Sequence, residues 1–195
     1  MRTAIILVGG EAKRAEGREK YFFLHEGKTF LARLLDSLAP VVDEVVLVAR
    51  DPEQCTRFKD YQNIFCVNDI RAGTGPIGGI HAGLLAAKGD VAFISGCDMP
   101  FVNREIVVQL FSLINNYDAV IPAWDTEKFE PLHAVYKREA LLTYLKSHKS
   151  LSLRAMIRAL HAYYVNVDEF RRIDPDLRTF MNINKLEDLT RINEF

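Results

Sequence analysis

Thr3-Ala4-Ile5-Ile6-Leu7-Val8-Gly9-Gly10 is an apolar run that stops at two glycines, close to the start of a chain of 195 residues. A short continuous apolar run of this kind is typical of a strand buried on both faces of a parallel sheet. Similar runs predict further strands at Glu44–Ala49, Asn63–Val67, Val91–Ser95, Ala119–Pro122, Leu132–Tyr136 and Ala162–Val167. The opening run therefore predicts the first strand of a mostly parallel sheet.

Helical patterns lie between these strands. Apolar side chains recur on one stripe between Phe30 and Leu38, and a second stripe follows Asn103, which is a good N-cap. A final short helix is suggested by Leu186, Leu189 and Ile192. Alternating strands and helices predict an α/β fold, a three-layer sandwich with a Rossmann-like sheet. No linker or repeat is visible, so residues 1–195 are expected to form a single domain.

The composition excludes several classes of protein. Lys and Arg number 25 against 26 Asp and Glu, and the net charge of -1 argues against binding to nucleic acid or an acidic membrane surface. The opening run is too short for a secretory signal, and no stretch approaches a membrane span. Cys55, Cys66 and Cys97 form no C-x-x-C pair, so they are predicted to be reduced, buried thiols of a cytoplasmic protein.

The segment after the first strand combines glycines with cations. Gly9 and Gly10 allow backbone N–H groups to approach a ligand closely. Cationic side chains follow at Lys13, Arg14, Arg18 and Lys20. Amides, lysine ammonium groups and forked arginine donors together suit a triphosphate, although the Gly-Lys-Ser/Thr of a Walker loop is absent. Because glutamates are interspersed, a solvated charged loop is the alternative.

A second glycine-rich segment, Gly73–Gly78, fits the G-x-G-x-x-G pattern of dinucleotide-binding loops, with Asp98 following the next strand. That fingerprint requires a turn directly after a strand, whereas the preceding strand is predicted to end near Val67. Pro76 also lies inside the turn. The pattern is therefore weak evidence for a dehydrogenase.

Asp98 follows the apolar strand Val91–Ser95 and Gly96-Cys97. Ligands of parallel α/β sheets bind at the carboxyl ends of the strands, and a carboxylate placed there suits Mg²⁺ bound together with substrate phosphates. The alternative is an aspartate that caps a turn. The residue is a candidate metal ligand.

Five motifs, taken in order, resemble those of the molybdenum cofactor guanylyltransferases, the MobA-like branch of the nucleotidyltransferases. Their L-A-G-G-x-x-x-R-M-G-x-x-D-K motif corresponds to Leu7–Lys20, and their G-P-L-G-G-I-x-A-G-L motif to Gly75–Leu84. The C-D-M-P-F, P-L-H-A-V-Y and F-x-N-I-N-x-x-E-D-L motifs correspond to Cys97–Phe101, Pro131–Tyr136 and Phe180–Leu189. The resemblance spans nearly the whole chain and implies a fold of the nucleotide-diphospho-sugar transferase type.

The resemblance also implies an activity: the terminal phosphate of molybdopterin attacks the α-phosphorus of GTP, which releases pyrophosphate and leaves a guanine dinucleotide. Asp98 would hold Mg²⁺, Asp69 would contact the nucleoside, and Lys20 and Arg14 would stabilise the pyrophosphate. The nucleotide would lie on the backbone of Leu7, Val8, Gly9 and Gly10. Proteins of molybdenum cofactor biosynthesis would be the partners.

The second substrate is expected at the same edge of the sheet. A basic stretch, Lys146–Arg158, suits a phosphorylated pterin and includes Arg154, although a solvated helix face is the alternative. Asn182 and Asn184 alternate along an extended segment, and the resemblance suggests contact with pterin or nucleotide. They could instead satisfy backbone groups at a turn. His81 and His133 have no acidic neighbour in sequence and are predicted to be structural.

Three residues depart from the opening motif of the family: Ala15, Glu16 and Glu19 stand where Met, Gly and Asp are usual. Glu16 motivates a second hypothesis, a nucleotide-binding relative without catalytic activity. A third hypothesis is a related Mg²⁺-dependent enzyme that acts as a molybdopterin cytidylyltransferase, a cobinamide-phosphate guanylyltransferase or a sugar-phosphate nucleotidyltransferase.

Overall fold

A computed structural model of the chain describes residues 1–9, 19–61, 64–70, 75–184 and 188. The strands are β1 (Arg2–Leu7), β2 (Leu24–His25), β3 (Lys28–Thr29), β4 (Glu44–Ala49), β5 (Ile64–Asn68), β6 (Val91–Gly96), β7 (Ala119–Ala123), β8 (His133–Lys137) and β9 (Ala162–Asn166). Seven of them form one sheet in the order β5-β4-β1-β6-β8-β7-β9, while β2 and β3 form a separate hairpin. Only β8 within the large sheet runs antiparallel to its neighbours.

The helices are α1 (Phe30–Leu38), α2 (Pro52–Thr56), α3 (Pro76–Ala86), α4 (Arg104–Leu113), α5 (Arg138–Ser147) and α6 (Leu153–Ala159). Short 3-10 turns cover Lys20–Phe22, Val167–Arg172 and Arg178–Phe180. Asn103 caps α4 as predicted, because its side chain accepts a hydrogen bond of 2.9 Å from the backbone N–H of Glu105. Of the predicted helix at Leu186–Ile192, the structure describes residue 188 alone, and that residue is helical.

The seven predicted strands are all confirmed as members of the large sheet. Phe23 and Phe30, which directly precede and directly follow the hairpin in sequence, form a small separate core with Ile183. The hairpin itself was missed, because strands of two residues are too short to show an alternating pattern. Its turn at Glu26 and Gly27 takes positive φ angles of 49° and 76°.

The sheet separates two apolar cores, which makes the fold a three-layer sandwich. Along β1, Ala4 and Ile6 face the core that α1 and α4 cover, whereas Ile5 faces the core that α3, α5 and α6 cover. This alternation is the period of two that a strand imposes. Both faces of β1 are thus buried, as the continuous apolar run predicts.

Two cysteines correct the expectation of reduced, buried thiols. Cys55 on α2 and Cys66 on β5 form a disulfide, with their Cα atoms 5.8 Å apart, and both side chains are only half-buried. The two cysteines are 11 residues apart in sequence, and that spacing alone does not indicate that α2 packs beside β5. Cys97 is a free, buried cysteine, as predicted, and desolvation raises the pKa of its thiol to about 12.

Two glycines on one face of α3 provide a test of how closely this helix packs on the sheet. A Cβ atom at Gly83 would lie 2.5 Å from Cγ2 of Ile5 and 3.0 Å from Cγ2 of Val48, whereas at Gly79 the nearest atom, Cδ2 of Leu7, would be 3.2 Å away. Gly83→Ala is expected to destabilise the protein, since overpacking costs about 1–3 kcal/mol and alanine returns only about 1 kcal/mol of helix propensity.

The matched control is Gly79→Ala, which makes the same change one turn earlier, where a flexible leucine can move aside. It is expected to be neutral or mildly stabilising. Urea unfolding of the two variants measures the difference. A Gly83→Ala protein as stable as Gly79→Ala would contradict the tight contact.

Within the described ranges, no helix combines the length and the apolar character that crossing a membrane requires.

Candidate active site

The carboxyl ends of β4, β1 and β6 lie side by side at one edge of the sheet. Leu7, at the end of β1, is in register with Val48 on one side and with Gly96 on the other. The backbone continues these contacts, because Cys97 N–H donates to the Leu7 carbonyl over 3.1 Å and Val8 N–H donates to the Val48 carbonyl over 2.9 Å. The segments predicted to bind nucleotide and metal therefore meet at this edge.

Three of the predicted site residues converge here. The ammonium group of Lys20 lies 3.2 Å from Oδ2 of Asp98 and donates a hydrogen bond of 2.7 Å to Oδ1 of Asn184. The side chains of Lys20 and Asp98 are 20% and 28% exposed, so the pair is accessible to a ligand and partly shielded from bulk water. The structure brings together residues that are 78 and 164 positions apart in the chain.

Backbone contacts and burial fix the positions of Asp98 and Asn184 in this cluster. Asp98 is held through its backbone carbonyl, which accepts a hydrogen bond of 2.7 Å from the N–H of Ile183. Buried Ile183 places the exposed side chains of Asn182 and Asn184 on the opposite side of the segment, as their alternation predicts. A Cβ atom at Gly96 would lie 2.6 Å from Oδ1 of Asp98, so any larger residue there would displace the carboxylate from its present position.

Leu7, Val8 and Gly9, whose backbone is predicted to contact the nucleotide, lie at the end of β1, where Leu7 and Val8 are hydrogen-bonded to the neighbouring strands. The Val8 carbonyl accepts a hydrogen bond of 3.3 Å from Nε2 of Gln54, a buried residue that sequence reasoning missed. Asp69 lies at the same edge, where its backbone N–H donates to the Ala49 carbonyl over 2.8 Å. Gly10 and Arg14, two further predicted site residues, lie outside the described residues.

Arg154 is not part of the Lys20 cluster. Its guanidinium binds Glu127, with Nη1 2.6 Å from Oε2 and Nη2 donating to the backbone carbonyl, and Arg158 reaches the same carboxylate over 3.4 Å. Arg154 and Arg158 therefore hold α6 to the turn that follows β7, through Glu127. The side chains of Arg154 and Arg158 are exposed to solvent. In the ligand-free protein they therefore belong to a solvated helix face, which was the alternative to a pterin-binding site.

His133 lies in the interior, as expected for a structural residue. Its ring is fully buried between Phe93 and Phe180, and its Nε2 is 3.2 Å from Oγ1 of Thr179. Desolvation lowers the pKa of His133 to about 3, so the ring is neutral at physiological pH. His81 is likewise buried, on α3.

The donor atoms around Lys20 fit a magnesium ion. Mg²⁺ prefers hard oxygen ligands and takes one or two from carboxylates, with the remainder supplied by phosphates and water. The carboxylate of Asp98 and the amide oxygen of Asn184 are such ligands, and both lie within 3.2 Å of the same ammonium group. In the ligand-free protein the Lys20 ammonium is the cation that these two oxygens contact.

Comparison with known proteins gives concordant results. The family model of the MobA-like NTP transferase domain matches residues 4–163. Two proteins named probable molybdenum cofactor guanylyltransferase are similar over 96% of this chain and 88% of their own. One, from Methanosarcina acetivorans, is 43% identical, and the other, from Methanosarcina mazei, is 42% identical.

The fold has a counterpart among solved structures. Molybdopterin-guanine dinucleotide biosynthesis protein A from Archaeoglobus fulgidus superposes with a TM-score of 0.82 at 30% sequence identity. The match covers 100% of this chain and 97% of that one.

Proposed function

Because the chain belongs to the MobA-like NTP transferase domain family, we propose that it transfers GMP from GTP to the terminal phosphate of molybdopterin. Pyrophosphate is released and the molybdopterin guanine dinucleotide is the product. The observation that carries the proposal is the convergence of Lys20, Asp98 and Asn184 beside the end of β1. Residues 1–195 act as one nucleotidyltransferase domain in this proposal.

The reaction joins two polyanions, so charge repulsion is the main obstacle. A phosphate oxygen of molybdopterin forms a bond to the α-phosphorus of GTP, and the bond from that phosphorus to the bridging oxygen of the β-phosphate breaks. The attacking oxygen is already anionic, so the step requires no general base. Catalysis then depends on positioning and on electrostatic stabilisation.

The residues of the cluster divide this work. Asp98 would hold Mg²⁺, which supplies positive charge at the phosphate oxygens when bound. Lys20 would exchange its contact with Asp98 for the departing pyrophosphate, and Arg14 is proposed to assist it. A lysine ammonium suits this exchange because it is a mobile point charge with rotatable donors.

The remaining predicted residues are proposed to contact the two substrates. The strand end at Leu7–Gly9 would receive guanine and ribose together with Gly10, and Asp69 would contact the nucleoside. Asn182 and Asn184 would face the pterin. For Arg154, binding of the pterin phosphate requires that the phosphate replace the carboxylate of Glu127.

Two measurements test the proposal. Thermal denaturation with GTP, CTP, UTP or ATP in the presence of Mg²⁺ should show stabilisation by GTP alone, by roughly 2.7 kcal/mol at a hundredfold excess over Kd. Stabilisation by CTP or UTP would favour a cytidylyltransferase or a sugar-phosphate nucleotidyltransferase instead.

Pyrophosphate release from GTP in the presence of molybdopterin measures the reaction itself. Release is expected only when both substrates are present. Stabilisation by GTP without any release would favour a nucleotide-binding relative that lacks catalytic activity, the hypothesis that Glu16 motivates.

A further inference from the structure

A buried polar cluster lies beside the proposed active site, centred on the side chain of Gln54. This side chain is 1% exposed. Its Nε2 donates to the Val8 carbonyl over 3.3 Å, to Oε1 of Glu19 over 3.1 Å and to the Tyr21 hydroxyl over 3.3 Å. Its Oε1 accepts a hydrogen bond of 2.7 Å from the backbone N–H of Arg50. Gln54 thus joins the end of β1 to the segment that carries Lys20.

Glu19 is the charged member of the cluster. Its side chain is 10% exposed, and it accepts hydrogen bonds from Tyr21 Oη and Arg57 Nη1 in addition to that from Gln54. Nη2 of Arg50 lies 3.8 Å from Oε1. A carboxylate buried to this extent is costly unless it is paired, and these donors compensate it. Glu19 is therefore held in one place.

Tyr21, the residue directly after Lys20, is fixed by burial within the same cluster. Tyr21 is 1% exposed, and its ring packs edge-on against Phe58 with centroids 5.1 Å apart. Burial raises the pKa of Tyr21 to about 12, and the neighbouring Glu19 carboxylate adds to the rise, so the hydroxyl stays a hydrogen-bond donor. The backbone is thus anchored directly before and directly after Lys20.

We propose that Gln54 and Glu19 are positioning residues that hold Lys20 against Asp98 beside the end of β1. A lysine has a long flexible stem, so the place of its ammonium group depends on where its backbone is fixed. The placement of Lys20 follows from the contacts alone, whereas its effect on turnover rests on the proposed function. The sequence offered one signal for Glu19, its departure from the aspartate usual in the family, and none for Gln54.

The first test measures the placement of Lys20 in the free protein. Acetylation by acetic anhydride, quantified for each lysine by mass spectrometry, should become several-fold faster at Lys20 in Glu19→Gln and Gln54→Leu. Exposed Lys28, on the hairpin, is the internal reference and should not change. The matched control is Glu53→Gln, which removes the same charge from an exposed position of α2.

The second test separates positioning from a role in stability. Glu19→Asp keeps the carboxylate and should restore labelling and turnover close to wild type, whereas Glu19→Gln should lower kcat about 10-fold with a smaller change in KM. Thermal unfolding shows that each variant is folded, and Glu19→Gln carries the test if Gln54→Leu does not fold.

The outcomes distinguish the two proposals. Unchanged acetylation of Lys20 in a folded Glu19→Gln protein would overturn the positioning role. A wild-type protein without pyrophosphate release would overturn the proposed function, and faster acetylation of Lys20 in the variants would still support the positioning role.

Discussion

Asp98→Ala is expected to lower the rate of pyrophosphate release by about 10³-fold at saturating Mg²⁺, while the protein stays folded. The carboxylate is the proposed ligand of the metal that offsets charge on the reacting phosphates, and loss of such stabilisation acts on the chemical step. The Asp98 side chain is 28% exposed and forms an ion pair with Lys20. Such a pair contributes about 1 kcal/mol or less to stability, so its loss should not unfold the protein. Steady-state kinetics and thermal unfolding measure the two effects separately.

A matched control lies next to the other end of the same strand. Asp90 directly precedes β6, and its carboxylate pairs with the exposed amino terminus over 3.1 Å. Asp90→Ala removes the same charge far along the strand from the cluster and is expected to keep wild-type turnover. An Asp98→Ala enzyme with unchanged turnover at saturating Mg²⁺ would contradict the proposed role of this carboxylate.

Lys20→Ala is expected to lower kcat by about 10²-fold, because a positive charge aimed at the leaving pyrophosphate is lost. Lys20→Arg should restore only part of the rate, since a planar guanidinium does not match the compact, mobile ammonium that is proposed to exchange Asp98 for the pyrophosphate. Kinetics with GTP as the varied substrate measure kcat and KM for both variants.

The control for Lys20 is another lysine in an ion pair. Lys28, on the exposed hairpin, pairs with Asp36 of α1 over 2.6 Å, and Lys28→Ala is expected to leave turnover unchanged.

The double variant Lys20→Ala/Asp98→Ala should lose less than the product of the two single effects, because both residues act on the same phosphates. Fully multiplicative losses would mean that the two side chains act independently.

Much of the fold was predictable because burial leaves a local signature. The continuous apolar runs at β1, β4 and β6 reflect a sheet that is covered on both faces, and the ends of all seven strands of the large sheet were predicted to within one residue. The hairpin of β2 and β3 was not found, since two-residue strands carry no period. The disulfide was also missed, because the distance between Cys55 and Cys66 depends on how α2 packs beside β5.

The candidate site divides in the same way. Asp98 and Gly9 were predicted from their place after apolar runs, since parallel strands bring their carboxyl ends to one edge, whereas the roles of Leu7 and Val8 came from the family resemblance. Lys20 and Asn184 came from motifs rather than from periodicity. Gln54 gave no signal at all, because a buried glutamine within a short charged segment looks like any solvated one until its partners are known.

The sequence by itself determined the α/β class, the strands of the large sheet and the edge of the sheet at which the candidate site is proposed. These follow from apolar periodicity and from residues placed directly after strands, which are local properties of the chain. Only the tertiary structure decided that Lys20 contacts Asn184, 164 positions away, and that Gln54 joins Val8 to Glu19. It also decided that Arg154 pairs with Glu127 and does not join the Lys20 cluster. These contacts depend on strand order and helix packing, which fix distances between side chains that no local pattern relates.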